Sequence, residues 1–328
     1  MVEPIRFGFL NEPLSVSWRY GTIRPVPNFE EIASCFEQSA GVYKGWVYPP
    51  IKAVDGQGAA AKKAWVPTPF SLPSSHILTL NADVNPAHSD FFIALFGFLH
   101  GRRLQREGWQ HFYKAPLSRK LCDFVTDKKS TEWALNQALA FCEMHSSNTE
   151  VLKLAFSALH WHTFAQLYEH EFERFDAQYK ALDACYKLTL LTQTGCRAAT
   201  HAERALRLCE HFGIEPPDWV SPPGNQTNSS TSELALRRNA LAHEALYGGQ
   251  PLGFAHPAGS GAMVSGLKSL VARILLSTLG IKNSYTQSSS TTQSMSVILP
   301  PYSSPRPSRN KPPGPLMAPA ALVRPAAS

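Results

Sequence analysis

The hydrophobic pattern of this chain changes along its length, from short apolar runs separated by Pro and Gly to long helical stripes. Residues 15–20 and 76–80 are short runs rich in β-branched and aromatic side chains, which predicts strands. Residues 88–104 and 131–145 predict helices, and a shorter helix is predicted to begin near Asn28. The first part of the chain, residues 1–148, is therefore predicted to be an α+β domain whose role the pattern does not reveal.

The second part of the chain carries a long amphipathic stripe. Large side chains recur at helical spacing at Phe172, Phe175, Tyr179, Leu182, Tyr186 and Leu190. The stripe extends back toward residue 149, and we expect two helices over residues 149–193, joined near His160, Trp161 and His162.

Three further helices follow in the pattern. Residues 197–212 form an amphipathic segment ended by Gly213, a short helix is expected from Ser232, and residues 262–281 have a wide apolar face closed by Gly280. The prediction is an all-α bundle over residues 149–283. Residues 284–328 are rich in Ser, Thr, Gln and Pro and are predicted to be a disordered tail.

Charge does not indicate a general surface for polyanions. The net charge is +6, but residues 1–150 carry 15 basic and 14 acidic side chains, residues 151–285 carry 12 and 11, and residues 286–328 carry 4 and 0. Most of the excess therefore lies in the tail, so any affinity for nucleic acid would have to be local. No apolar run approaches the roughly 20 residues that span a bilayer, and we expect a cytoplasmic protein without membrane contact.

Cysteine and histidine spacing gives no metal signature. The six cysteines include no Cys-x-x-Cys pair and are expected to be reduced thiols. The segment with His160, His162 and Glu169 is rich in potential ligands, and His162, Glu169 and Glu173 could share a helix face, but no zinc motif accompanies them. The sequence therefore predicts neither a metal nor a cofactor.

One short motif carries a specific chemical hypothesis. Arg238, Asn239 and His243 stand in an Arg-Asn-x-x-x-His string between the predicted helices. This string resembles the R-x4-H motif of the HEPN superfamily of helical, ribonuclease-like proteins. The order of helices over residues 150–283 is compatible with that resemblance, and the aromatic and acidic run over residues 172–183 looks like the first helix of related bacterial HEPN proteins.

The resemblance implies a metal-independent endoribonuclease that is active as a homodimer with RNA as its partner. An imidazole and a guanidinium fit such a reaction, because one transfers the proton of a 2′-hydroxyl and the other stabilises charge on the phosphoryl oxygens. His243 would be the acid or base, Arg238 would hold the phosphate, and Asn239 would orient one of them. The expected product carries a 2′,3′-cyclic phosphate.

Three acids are possible supporting residues of this site. Asp176 and Asp183 are seven residues apart and so lie on one side of the predicted helix, with Glu173 one turn earlier. The alternative is that all three form a solvated or ion-paired flank beside the apolar stripe.

Other functions remain open at this stage. A HEPN-like dimer could bind RNA, a nucleotide or a protein partner without cutting, and Arg238 and His243 could instead stabilise a turn in a structural bundle. The arrangement of the N-terminal domain in front of the helical domain resembles that of proteins in which a sensor-like domain precedes a HEPN effector, including some bacterial antiphage abortive-infection proteins, and this implies a toxin or defence role. Its loop with Trp109, Phe112 and Tyr113 beside Lys114 could stack bases or simply pack the core.

Overall fold

We describe a computed structural model of the 328-residue chain. It describes residues 3–39, 41–54, 64–117, 124–168, 170–222, 231–243, 260–287 and 296–298. Side chains are described at these positions except at 51–54, 64–66, 125, 166, 243, 260–262 and 296–298.

The strands of the described residues lie mainly in the first 126 positions. In chain order they are β1 (Ile5–Gly8), β2 (Val16–Trp18), β3 (Gly21–Pro25), β4 (Val42–Tyr43), β5 (Trp46–Val47), β6 (Ile51–Val54), β7 (Ala64–Pro67), β8 (Phe70–Ser71), β9 (His76–Leu80), β10 (Gln105–Arg106), β11 (Gln110–His111), β12 (Ala115–Pro116), β13 (Phe124–Thr126) and β14 (Ser296–Ile298). The largest sheet has the antiparallel order β10-β1-β9-β3-β2. The smaller pairings are β12-β5-β4, β11-β8, β6-β7 and the parallel pair β13-β14.

The helices dominate the rest of the chain. They are α1 (Phe29–Glu37), α2 (Ser89–Leu99), α3 (Lys128–Met144), α4 (Thr149–Phe164), α5 (Glu171–Thr192), α6 (Arg204–Phe212), α7 (Glu233–His243), α8 (Ser260–Thr278) and α9 (Ser284–Gln287). The protein thus has a β-rich N-terminal region and a helical region. Among the described helices, none is both long enough and apolar enough to cross a membrane.

The helix α2 connects the sheet to the helical region. Along β9, His76, Leu78 and Leu80 are buried and alternate with partly exposed residues, as a strand with one covered face requires. The ring of Phe96 on α2 lies 6.4 Å from the ring of His76, and α2 also packs against α4. One buried core therefore runs from Phe7 in the sheet to the last helices.

The helix α5 lies at the centre of the helical region. It packs against α4 on one side and against α8 on the other, and it also contacts α6 and α7. A polar contact fixes its position against α4, because Nδ1 of the buried His162 donates a hydrogen bond to Oε1 of Gln178 (2.8 Å).

Most of the elements predicted from the sequence are present, with different ends. Two helices cover residues 149–193 as predicted, but their break lies at residues 165–170, after the predicted join. The helix predicted over residues 88–104 ends at Leu99, because Gly101 adopts a left-handed backbone (φ 62°) that terminates α2. The segment predicted from residue 197 becomes helical only at Arg204.

The first residues of the predicted tail are helical. Residues 284–287 were predicted to be disordered, whereas they form α9, and Tyr285 is buried against Phe124 and Arg273. Burial of the Tyr285 ring stabilises this helix. The prediction was wrong here because it rested on the composition of the whole segment, which is mostly polar. The rest of the predicted tail, except the short strand β14, lies outside the described residues.

We expect the burial of His76 to make stability depend on pH. Its imidazole is fully buried beside Phe7, Phe29 and Phe96, and burial lowers its pKa to about 4, while an unfolded chain has a pKa near 6.5. As the pH falls, the unfolded state therefore binds the proton first. The free energy of unfolding keeps this contribution above pH 6.5 and decreases by roughly 3 kcal/mol as the pH falls toward 4.

The variant His76→Phe should lose less stability than the wild type between pH 7 and pH 4.5 in urea-unfolding experiments. His170→Gln changes an exposed histidine and serves as the control, which we expect to follow the wild-type profile. An unchanged profile in His76→Phe would refute a role for this proton.

Candidate functional site

The residue Arg238 lines a cleft in the helical region, which we call the Arg238 cleft. Its volume is about 410 Å³, and its walls come from α4, α5, α7 and the segment before α6. The residues relevant to its chemistry are Asp176, Tyr179, Lys180, Asp183, Lys187, His201 and Arg238.

Helix α7 turns Arg238 toward α5. Leu234 and Ala235 are buried, and Ala235 N–H donates a hydrogen bond to the hydroxyl of Ser232 (3.3 Å), which caps the start of the helix. Arg238 lies one turn further along, and Leu241 and Ala242 line the cleft beside it. The apolar face of α7 therefore determines the direction of the guanidinium.

The rest of the motif occupies a different side of the same helix. At about 100° per residue, Asn239 and His243 lie on one face, and His243 lies about 140° around the axis from Arg238. Asn239 is exposed, and its Oδ1 accepts a hydrogen bond from Arg238 Nη1 (3.0 Å). The backbone of His243 is in the last turn of α7, but its side chain lies outside the described residues.

Asp183 is the best anchored acid of the cleft. It forms an ion pair with Arg204, and a second with Lys187 Nζ at 3.0 Å. The side chains of Asp183 and Arg204 are both less than one fifth exposed, so this pair is largely removed from solvent. The pairing indicates that Asp183 holds the start of α6 against α5.

The other two acids of the sequence hypothesis have separate positions. Asp176 lines the cleft, where its carboxylate pairs with Lys180 Nζ (2.7 Å), and both side chains are about half exposed. Glu173 lies at the start of α5, and its carboxylate accepts a hydrogen bond from the backbone N–H of His170 (3.4 Å). The structure thus brings Asp176 and Asp183 to Arg238 and places Glu173 outside the lining of the cleft.

The residue His201 lies in the cleft although sequence analysis did not select it. Its Nδ1 accepts a hydrogen bond from Arg204 Nη1 (2.9 Å), which leaves the proton of the neutral ring on Nε2. Partial burial and the positive charges of Arg204 and Arg238 lower the pKa of His201. Only the fold brings residue 201 near residue 238, so no local spacing could have identified it.

The tyrosine Tyr179 ties His201 to the centre of α5. Its hydroxyl donates a hydrogen bond to the backbone carbonyl of His201 (3.0 Å), and burial raises its pKa. The segment before α6 is thus held against α5 by a side-chain bond in addition to the pair of Asp183 and Arg204.

The remaining candidate groups from the sequence have structural contacts. The ring of His160 stacks on Phe164 with centroids 5.5 Å apart, and Glu169 lies outside the described residues. Among the residues that the structure describes, no group of three His, Cys, Asp or Glu side chains is placed to hold a metal ion.

The buried thiols that the structure describes are poor nucleophiles. Cys142 and Cys209 are buried, and burial raises the pKa of each to about 12. Burial also raises the pKa of Cys185. A thiol that remains protonated at neutral pH is a weak nucleophile. Cys122 lies outside the described residues.

The aromatic and basic loop of the N-terminal region divides into two parts. Lys114 is buried with its Nζ 4.5 Å from the centre of the Trp46 ring, which is a packing contact. Trp109, Phe112 and Tyr113 are exposed, while Arg119 and Lys120 lie outside the described residues.

Comparison of the chain with protein-family models, with curated proteins and with solved structures finds no match.

The two acids of the Arg238 cleft should differ in their contribution to stability. We expect Asp183→Asn to lower the free energy of unfolding by roughly 1–3 kcal/mol, because it leaves Arg204 partly buried without its counter-charge. Asp176→Asn removes an exposed pair on the same helix and should cost less than about 0.5 kcal/mol.

Urea unfolding of both variants beside the wild type measures the difference. Equal effects of the two substitutions would show that Asp183 is not the structural anchor of α6.

Proposed function

We propose that the protein is a metal-independent endoribonuclease of the HEPN type, which cleaves RNA through attack of a 2′-hydroxyl on the adjacent phosphate. The observation that carries this proposal is the position of Arg238 in a cleft that also contains Lys180 and Lys187. Asp176 and Asp183 are the acids of the same lining, and each is already engaged by a lysine. Among the described residues of the lining, three basic side chains thus accompany two acids, in agreement with an anionic ligand.

Arg238 is the phosphate-binding residue in this proposal. A guanidinium can donate two parallel hydrogen bonds to phosphoryl oxygens, and it stabilises the negative charge that develops on them in the transition state. The hydrogen bond from Arg238 to Asn239 supports a role for Asn239 in orienting the guanidinium.

His243 transfers protons in the proposed reaction. As a base it takes the proton of the 2′-hydroxyl, the 2′-oxygen forms a bond to phosphorus, and the bond from phosphorus to the 5′-oxygen breaks. The leaving 5′-oxygen receives a proton, so the products are a 2′,3′-cyclic phosphate and a 5′-hydroxyl. The reaction needs no metal ion and no cofactor.

A homodimer is part of the proposal, because one imidazole cannot act as both base and acid in a single step. Positions 239 and 243 share a side of α7 that differs from that of Arg238, and Leu236, which is 54% exposed, precedes them on that side. A second copy of the chain packed on this face would cover Leu236 and bring two motifs together.

The regulation of this activity is proposed on the resemblance alone. The N-terminal region would restrain the helical region until a signal arrives, as in a toxin or an antiphage effector. The packing of α2 against α4 provides a route for such restraint, since α4 also lines the Arg238 cleft.

The decisive experiment is cleavage of end-labelled single-stranded and structured RNA in EDTA. We expect products with 2′,3′-cyclic phosphate ends, and we expect Arg238→Ala and His243→Ala each to lower the rate by about 100-fold or more. Arg237→Ala is the matched control. Arg237 lies one position before Arg238 on α7 and pairs with Glu233 (3.9 Å), so we expect this variant to retain the wild-type rate.

The variants should be compared at equal helical content and equal oligomeric state. Cleavage that survives both substitutions would refute the assignment of the site. RNA binding without cleavage, lost in Arg238→Ala, would instead favour the alternative of a non-catalytic HEPN-like dimer that binds RNA, a nucleotide or a protein partner.

A further inference from the structure

A second pocket lies on the opposite side of α4, between α2, residues 102–109 and α4. We call it the arginine pocket, since Arg102, Arg103 and Arg106 all line it, and its volume is about 300 Å³. This volume lies at the lower end of the range of roughly 300–1,000 Å³ that is typical of small-molecule sites. The pocket is therefore of a size for one small ligand.

Arg103 is the most unusual residue of the pocket. Its guanidinium carbon lies 4.5 Å from the centre of the Phe164 ring. Within the part of the chain that the structure describes, Arg103 forms no ion pair, and its buried Nε has no hydrogen-bond partner. Burial lowers its pKa to about 10. A desolvated cation without a counter-charge is costly to the free protein, and an anionic ligand would offset that cost.

The charges of the pocket are strongly unbalanced. Asp90 is the one carboxylate in the lining that the structure describes, and it pairs with Arg106, which also contacts the hydroxyl of Ser89. Arg102 is 6% exposed, and its Nη2 donates to Oδ1 of Asn11 at 3.5 Å. In the described lining, three guanidinium groups thus accompany one carboxylate, which is already paired with Arg106.

Aromatic side chains form another part of the wall. Trp109 lines the pocket and is 46% exposed, and Phe156 and His160 of α4 lie across from the arginines. Burial and the charge of Arg103 lower the pKa of His160, so its ring is neutral at physiological pH. An exposed indole beside guanidinium groups is suited to stacking on a planar heterocycle.

We propose that the arginine pocket binds a phosphorylated nucleoside, with the phosphate held by Arg102 and Arg103 and the base stacked on Trp109. The guanidinium of Arg103, for which the described residues provide no carboxylate, indicates the anion, and the aromatic side chains of the wall indicate the ring. This site shares no lining residue with the Arg238 cleft, and its test does not require cleavage of RNA.

Two sources could supply this ligand, a free nucleotide or the end of an RNA strand. Isothermal titration calorimetry on the full chain distinguishes them with ADP, inorganic phosphate and a 5′-phosphorylated, 2′-O-methylated dodecaribonucleotide that cannot be cut through a 2′-hydroxyl. We expect ADP to bind more tightly than the dodecamer, because the volume accommodates a single nucleotide. If the dodecamer binds more tightly than ADP and this binding is lost in Arg103→Met, the same site would be assigned to RNA ends.

Three variants test the residues. Arg103→Met should weaken ADP binding by roughly tenfold or more, since it removes charge-assisted hydrogen bonds. Trp109→Ala should weaken ADP binding and leave the weaker binding of phosphate unchanged. Arg24→Ala, which removes an exposed arginine of β3 outside the pocket, is the matched control and should bind ADP as the wild type does.

Thermal unfolding without ligand separates binding from a structural role. We expect Arg103→Met to unfold at the same temperature as the wild type or at a higher one, because it removes a desolvated charge. No binding of either nucleotide probe at millimolar concentration would overturn the proposal. An ADP affinity that is unchanged in Arg103→Met, whatever its unfolding temperature, would overturn the proposal as well.

Discussion

The burial of α5 between α4 and α8 is the interaction on which the rest of the structure depends. Phe175, Leu182 and Leu188 are almost completely buried along one helix of six turns, and α4, α6, α7 and α8 all pack against it. Because α5 is covered by apolar residues on two sides, only a narrow strip remains where polar side chains reach solvent. That strip carries Asp176, Lys180 and Asp183, and the Arg238 cleft forms above it.

Polar groups inside this core set the alignment of the helices. Gln178 and His162 join α5 to α4, and the hydroxyl of Thr189 lies 3.5 Å from that of Thr278 on α8. Arg273 is fully buried on α8 and donates to the backbone carbonyl of Ser269 (3.1 Å) and to the hydroxyl of Tyr285 (3.3 Å). Such contacts are worth little net energy, but they are lost if a helix slides by one turn, so they favour one packing over its alternatives.

The sequence alone was sufficient to predict those elements that depend on local patterns of apolar residues. Apolar spacing identified α4, α5 and α8, and the alternation in residues 76–80 identified β9, because burial on one face imposes these periods. The start of α6 was predicted seven residues too early. The carbonyls of Arg197, Ala199 and His201 lie within hydrogen-bonding distance of the hydroxyls of Tyr186 and Tyr179, and this tertiary contact replaces a helical turn. The order of the sheet and the approach of His201 to Arg238 depend likewise on contacts between distant residues, which no window of sequence contains.

Helix α4 has a consequence for how the molecule can respond to ligands. One side of this helix lines the Arg238 cleft, through Leu154, Ser157 and Trp161. The other side lines the arginine pocket, through Phe156, His160 and Thr163, so one helix separates the two cavities. A ligand that displaces α4 changes the shape of the Arg238 cleft and of the arginine pocket at once. In that case thermodynamic linkage requires that a ligand bound in one cavity change the affinity of the other cavity for its own ligand, and by the same factor in both directions.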